Sequence, residues 1–248
     1  MIEFGLYNYD KYSTKGEKSM DQKQSDELLK VKETVEHFDD EKLGKLKRYQ
    51  HLNTYAVKGQ TLFVGSSLME QFPINEFQQA LNKKIVIYNR GVGGFVTNEL
   101  LAAMDTCIFE LAPTRIFINI GTNDIAAPDY KKENLIVNYD QILSEIKDHL
   151  PHCQVFVMAY YPVNQKADFP SVNEAMKKEL FKTRTNPTLQ EANVAIKELA
   201  QNYQYEFIDV NDGLVDEEGN LKKEYTVEGI HFWPNAYYTI FNNLKQYL

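Results

Sequence analysis

A chain of 248 residues, 43% hydrophobic and 25% charged, has ordinary globular composition, and its length suits one large α/β domain with an accessory segment better than two full domains. The formal net charge is -8, and residues 1–58 carry as many basic as acidic side chains, so the acidic excess lies in the remainder. An acidic body repels phosphate polymers, which argues against nucleic acid as a partner and favours a neutral, zwitterionic or cationic small molecule.

The amino-terminal run MIEFGLYNYDKY contains acidic residues and lacks the apolar centre of a signal peptide. No stretch approaches the roughly 18 apolar residues of a membrane span. The expectation is a cytoplasmic protein with no membrane span. Residues 1–25 show no sustained apolar period and read as a loosely docked arm. Leu28, Val31 and Val35, then Leu43, Leu46 and Tyr49, recur at helical spacing. Character changes at Lys58-Gly59, so 1–58 reads as a polar, partly helical extension and 59–248 as the main domain. The extension is a candidate surface for homo-oligomer formation.

After Gly59 short apolar runs alternate with amphipathic stretches. TLFVG (61–65), KIVIYN (84–89), RIFINIG (115–121), QVFVMAY (154–160) and YEFIDV (205–210) read as strands covered on both faces. Between them, Leu135, Ile136, Tyr139, Ile142, Leu143, Ile146 and Leu150 fall on one helical face. A helix over 187–200 has Pro187 in its first turn, Asn186 as a possible cap, and Leu189, Ala192, Val194, Ile196 and Leu199 along it. The last helix starts near Pro234, with Tyr237, Ile240, Phe241 and Leu244 facing inward. This rhythm predicts a three-layer α/β/α domain around a five-stranded parallel sheet. Cys107 and Cys153 make neither a disulfide framework nor a metal site and are expected as two buried thiols.

Ligands of such sheets bind at the carboxyl ends of the strands. There the sequence places Gly65-Ser66-Ser67, Asn89-Arg90-Gly91-Val92-Gly93-Gly94 and Gly121-Thr122-Asn123-Asp124, with Glu228-Gly229-Ile230-His231 before the last helix. Each block has a plain structural explanation: a helix cap, a tight turn, an Asx turn, a surface carboxylate. Together they supply the parts of acyl transfer: a hydroxyl nucleophile, a base, a group that orients the base, and donors for an oxyanion. Glu228 and His231 are close enough on one loop for the carboxylate to hold Nδ1–H while Nε2 faces Ser67.

The four blocks, in this order and spacing, resemble the GDSL-like, or SGNH, hydrolase family over about residues 60–248. The Asn89–Gly94 run is similar to that of its platelet-activating-factor acetylhydrolase-like branch. The resemblance implies a flavodoxin-like fold and ester hydrolysis with no metal and no cofactor. It implies Ser67 as nucleophile and His231 as base. Ser67, Gly94 and Asn123 are implied as oxyanion donors, and Glu228 as the carboxylate behind His231. The chain departs from the family pattern twice. Gly65-Ser66-Ser67 stands where Gly-Asp-Ser is usual, which leaves Ser66 as a second possible nucleophile. Glu228 stands where Asp is usual, which leaves a backbone carbonyl as a second possible partner for His231.

The stretch Tyr160–Asn186 is long for a strand-to-helix connection and overhangs the strand ends. Tyr161, Phe169, Phe181, Arg184 and Asn186 are therefore candidate substrate contacts, foremost Tyr161, Arg184 and Asn186. Phe169 and Phe181 have the alternative of packing the loop down. The expected function is hydrolysis of a short-chain acyl or acetyl ester of a sugar or lipid through an acyl-enzyme on Ser67. The rival is a carbohydrate- or lipid-binding domain that has lost catalysis.

Overall fold

Every residue of β1 (Thr61–Gly65) is buried, as a strand covered on both faces requires. The computed structural model describes residues 38–81 and 84–248. It sets β1 beside β2 (Ile87–Asn89) on one side and β3 (Arg115–Asn119) on the other, followed by β4 (Gln154–Met158) and β5 (Glu206–Ile208). All pairings are parallel and the order is β2-β1-β3-β4-β5. The chain moves outward from β1 to β2, then crosses back to β3, so the switch point lies at the carboxyl ends of β1 and β3.

The period-2 side-chain alternation builds two cores, one on each face of the sheet. Leu62, Val64, Ile116, Ile118, Val155 and Val157 join one core, and Phe63, Phe117 and Phe156 the other. Register aligns these three phenylalanines across adjacent strands. Their rings stack at 4.7 Å between centroids for both Phe63–Phe117 and Phe117–Phe156.

Helices cover both faces. In chain order they are α1 (Asp40–Asn53), α2 (Ser67–Glu70), α3 (Ile74–Phe77), α4 (Thr97–Ala102), α5 (Met104–Cys107) and α6 (Thr122–Ala126), then α7 (Lys132–His149), α8 (Glu174–Leu180), α9 (Asn186–Asn202) and α10 (Pro234–Leu244). Among the described residues, none is long and apolar enough to cross a membrane. In α7, Leu135, Tyr139, Ile142, Leu143 and Ile146 are buried, and in α10 Tyr237, Ile240, Phe241 and Leu244 are. Both sets follow the sequence periodicity.

From Phe38 onward the chain joins the compact unit that contains the sheet, ahead of the change of composition at Lys58-Gly59. The reason is α1, which Asp39 caps by accepting from Lys42 N–H at 2.9 Å. It buries Leu46 in the core and ties Asn53 to Thr106 and Glu110. The helical reading around Leu28, Val31 and Val35, and most of the suggested oligomer surface, lie outside the described residues. β2 is shorter than KIVIYN predicts. It is an edge strand, and Val86 beside it is 45% exposed. Thr185, not Asn186, caps α9, its hydroxyl accepting from Thr188 N–H. Val194 faces solvent at 61% exposure, opposite the stripe of Leu189, Ala192 and Ile196. Cys107 is buried and Cys153 only half-buried. Burial pushes both thiols up to about 12.

The three-ring stack supplies a stability test. Phe117→Ala removes the central ring from a fully buried position and should cost about 3–5 kcal/mol. Urea melts should show a lower midpoint at unchanged slope. A loss below about 1 kcal/mol would mean that the stack is not part of the close-packed core.

Candidate active site

β1 ends on Gly65, whose φ is +155°. A Cβ there would lie 2.0 Å from the Asn119 carbonyl oxygen of β3, so a side chain is excluded by backbone. Ser66 follows as the residue before α2, and Ser67 is the first residue of that helix. The two serines part here. Ser66 is 1% exposed and its hydroxyl has no hydrogen-bond partner among the described residues. Ser67 is half-buried, and its Oγ lies 3.0 Å from His231 Nε2.

His231 reaches Ser67 from a tight loop between Thr226 and Phe232. The loop closes on itself. Val227 N–H donates to the His231 carbonyl at 2.9 Å, Thr226 Oγ1 donates to the same oxygen at 2.7 Å, and Gly229 N–H donates to Thr226 Oγ1 at 2.9 Å. Gly229 packs against Asn164, whose N–H donates to the Gly229 carbonyl at 2.9 Å. Within the loop, Glu228 Oε1 meets His231 Nδ1 at 2.5 Å and accepts from His231 N–H at 3.0 Å. One carboxylate oxygen thus holds both the ring and the backbone of the same residue. Burial raises the Glu228 pKa, but the hydrogen bonds and charge of His231 and the charge of Arg184 outweigh it. The carboxyl rests below its ordinary value. Both possible partners of His231 were open in the sequence, and this loop pairs the ring with the carboxylate.

Asn123 stands in the first turn of α6, after Gly121 at the end of β3. Its amide is fixed from two sides. Nδ2 donates to the Phe95 carbonyl at 2.9 Å, and Oδ1 accepts from Arg184 Nη2 at 2.9 Å. An amide nitrogen carries two hydrogens, so one remains for a ligand. Arg184 also donates from Nε to the Thr122 carbonyl at 3.2 Å. The next residue, Asp124, takes Thr97 N–H and hydroxyl, which joins α6 to the start of α4.

The loop between β2 and α4 carries the glycines. Asn89 fastens it to α2, donating to the Met69 carbonyl at 2.6 Å and accepting from Gly91 N–H at 2.9 Å. Val92 N–H donates to the Gly65 carbonyl at 2.9 Å. Gly93 lies against α2: its N–H donates to Glu70 Oε2 at 2.6 Å, and a Cβ on it would stand 3.8 Å from Ser67 Cβ. With the Gly93 N–H taken, Gly94 supplies the next amide of the loop, at a φ of +79° that suits glycine.

A cleft of about 400 Å³ opens beside Ser67, between Asp39, Glu41, Lys42 and Lys45 on one side and Glu70, Gln71, Gly93 and Gly94 on the other. Its lining is charged or polar apart from the glycines, and carboxylates outnumber ammonium groups. Among the described residues, no group of three or more His, Cys, Asp or Glu side chains is arranged to hold a metal ion.

The long connection after β4 does not line this cleft. Tyr161 is 2% exposed and packs edge-on against Phe232. Arg184 is 8% exposed and engaged with Thr122 and Asn123. Asn186 binds the backbone of Val163, accepting from its N–H at 2.8 Å and donating to its carbonyl at 3.0 Å. Phe169 and Phe181 are both 8% exposed, so they pack the loop down. Tyr161, Arg184 and Asn186 thus support neighbouring backbone and side chains, and the cleft beside Ser67 is lined instead by Glu70, Lys42 and Lys45 among others, which the sequence expectations leave out. Glu70 had a readable signal: three residues beyond Ser67, it shares that residue's helical face. Lys42 and Lys45 had none, because their approach to Ser67 is purely tertiary.

The chain is similar to several known proteins. Residues 59–238 match the GDSL-like lipase/acylhydrolase family. A structure from Streptococcus pneumonia, provisionally described as a platelet activating factor, is similar at 30% identity and a TM-score of 0.73, covering 91% of this chain and 98% of that one. A GDSL-like lipase from Bacteroides thetaiotaomicron shares the fold at 22% identity and a TM-score of 0.64, over 82% of this chain and 96% of the other. An N-acylneuraminate cytidylyltransferase of Escherichia coli is 24% identical over 185 residues, 74% of this chain, and the chain spans only 39% of that relative's length. With most of its length matched and the α/β/α architecture in place, the chain belongs to the GDSL-like lipase/acylhydrolase family of carboxylic ester hydrolases.

Proposed function

We propose that the chain hydrolyses a short-chain acyl ester, acetyl above all, of a hydroxyl-rich alcohol such as a sugar, through an acyl-enzyme on Ser67. The observation that carries the reading is the continuous hydrogen-bonded chain from Glu228 through His231 to Ser67. A relic kept for binding alone has no need of that alignment, which weighs against the binding-only alternative.

In the proposed reaction, Ser67 Oγ attacks the acyl carbon as its proton passes to His231 Nε2. The carbonyl π pair moves to oxygen, and this oxyanion accepts from Ser67 N–H, Gly94 N–H and the spare Nδ2–H of Asn123. Glu228 balances the imidazolium and keeps the ring from turning. The tetrahedral carbon re-forms its carbonyl, the carbon–oxygen bond to the alcohol breaks, and Nε2–H protonates the leaving oxygen. Water then attacks the acyl-enzyme with His231 again as base, releasing the acid and restoring Ser67.

The cleft supports the substrate class. A charged and amide lining offers hydrogen bonds to hydroxyl groups and little to a hydrocarbon chain. Its excess of carboxylates disfavours anionic substrates. An apolar channel would gain about 0.8 kcal/mol per added methylene, roughly fourfold in kcat/KM, and this cleft forgoes that gain.

Ser67→Ala should abolish turnover of p-nitrophenyl acetate, whereas full activity in that variant would sink the assignment. Asn123→Ala should cost roughly 100–1000-fold in kcat, read from steady-state kinetics. Along the C2 to C8 p-nitrophenyl esters, kcat/KM should fall or stay level. A rise of about fourfold per methylene would instead indicate a lipid substrate. Glu228 adds a pH signature. Its folded pKa is depressed, so its contribution to stability is present above the ordinary value of 4.5 and is lost as pH falls through the folded pKa. The stability gap between the wild type and Glu228→Gln should therefore be largest near neutrality and shrink in acid. A gap independent of pH would contradict this.

A further inference from the structure

The family match begins at residue 59, yet α1, which precedes it, bonds the glycine loop directly through Tyr49 and Asn53 and its flanks through Lys42 and Lys45. Phe38, just before the helix, stacks on Phe95 at 5.4 Å between centroids. Lys42 Nζ donates to Glu99 Oε1 at 2.7 Å, and Glu99 Oε2 accepts from Val96 N–H at 3.0 Å. Lys45 Nζ donates to Glu70 Oε2 at 3.1 Å, and that same oxygen accepts from Gly93 N–H at 2.6 Å. Tyr49 Oη donates to the Gly91 carbonyl at 2.6 Å. Asn53 Oδ1 accepts from Arg90 Nε at 2.9 Å.

We propose that α1 braces the oxyanion loop, and that Lys45 and Glu70 are positioning residues that aim the Gly94 N–H at the reacting carbonyl. The inference rests on the acyl-transfer reading above. Gly93 and Gly94 have no side chains with which to fix themselves, and glycine costs the most to order. The Glu70 carboxylate makes a short, charge-assisted bond to the amide one residue before the proposed donor. Because Glu70 also rides on α2, it locks that amide to the helix that begins with Ser67. The nucleophile and the oxyanion donor thus share one rigid unit, and Lys45 holds the carboxylate from outside. Burial works against the Lys45 ammonium, but hydrogen bonds and charge from Glu41 and Glu70 outweigh it and leave the pKa above the ordinary lysine value.

An alternative use of Lys45 and Lys42, capture of an anionic substrate group, fits less well. Both ammonium groups already face carboxylates: Glu70 and Glu41 for Lys45, Glu99 and Asp39 for Lys42. The two roles separate kinetically, since a substrate contact moves KM and a brace moves kcat.

The test uses the full chain and p-nitrophenyl acetate, with Ser67→Ala as the control and thermal melts to follow folding. A displacement of about 1 Å in a catalytic group can cost 100-fold, so Glu70→Ala should lose roughly tenfold or more in kcat with KM within about threefold. Glu70→Gln keeps an oxygen that accepts from Gly93 N–H and should recover most of the loss. Should Glu70→Ala not fold, Lys45→Met asks the same question from the surface: kcat should fall several-fold and return in Lys45→Arg. If Ser67→Ala turns over the ester like the wild type, the acyl-transfer reading falls and the brace with it. If Ser67→Ala is silent, three results overturn the brace alone: undiminished kcat in the folded Glu70 and Lys45 variants, a loss confined to KM, or Glu70→Gln as impaired as Glu70→Ala.

Discussion

The site depends on how closely the ends of β1 and β3 approach each other. At Gly65 any side chain would collide with the Asn119 carbonyl, and at Gly121 one would collide with Tyr160 Oη, 2.1 Å from the position of a Cβ. With both strand ends stripped to backbone, the helices that follow can start side by side. Ser67 opens one and Asn123 sits in the first turn of the other. The switch in strand order places a crevice at the carboxyl ends of β1 and β3, where both of these helices begin.

Electrostatic order is layered onto that frame by loops that satisfy their own hydrogen bonds. The extra methylene of Glu228, relative to the family's aspartate, is absorbed by a carboxylate that curls back onto the backbone N–H of His231 as well as its ring. That double use ties the orientation of the imidazole to the fold of the loop. Asn123 is treated alike. The Phe95 carbonyl and Arg184 take opposite ends of its amide, so the spare hydrogen has a fixed direction. Arg184 is 8% exposed, and burial lowers its pKa while the charge of Glu228 raises it. The guanidinium therefore links the two halves of the site electrostatically. Preorganisation of this kind is what makes oxyanion stabilisation effective, because donors already in place need not reorganise during the reaction.

What could be read from the sequence was what repeats or what is chemically unusual. β1, β3 and β4 stood out because strands buried on both faces are continuous apolar runs, and α7 and α10 because their stripes are regular. Ser67, Glu228 and His231 were legible from four linked blocks rather than from any single residue. Contacts made across the fold left no such trace. The polar contacts of α1 left no trace because its polar side chains look like a solvated surface, although Lys42 reaches Glu99 and Lys45 reaches Glu70 on α2. Tyr161 and Arg184 lie in the long connection after β4, where substrate contacts often sit, but side-chain direction is set by packing. Tyr161 turned into the core against Phe232, and Arg184 turned toward Asn123. Edge strand β2 was overestimated because the apolar run KIVIYN continues outside the paired segment.

The most direct test of the account is the site of covalent capture by a fluorophosphonate, mapped by peptide mass spectrometry on the full chain. A nucleophile poised against His231 predicts one adduct, on Ser67, absent from Ser67→Ala and much slower to form in His231→Ala. An adduct on Ser66, or no adduct on the folded wild type, would contradict the central claim that Ser67 and His231 act as a pair.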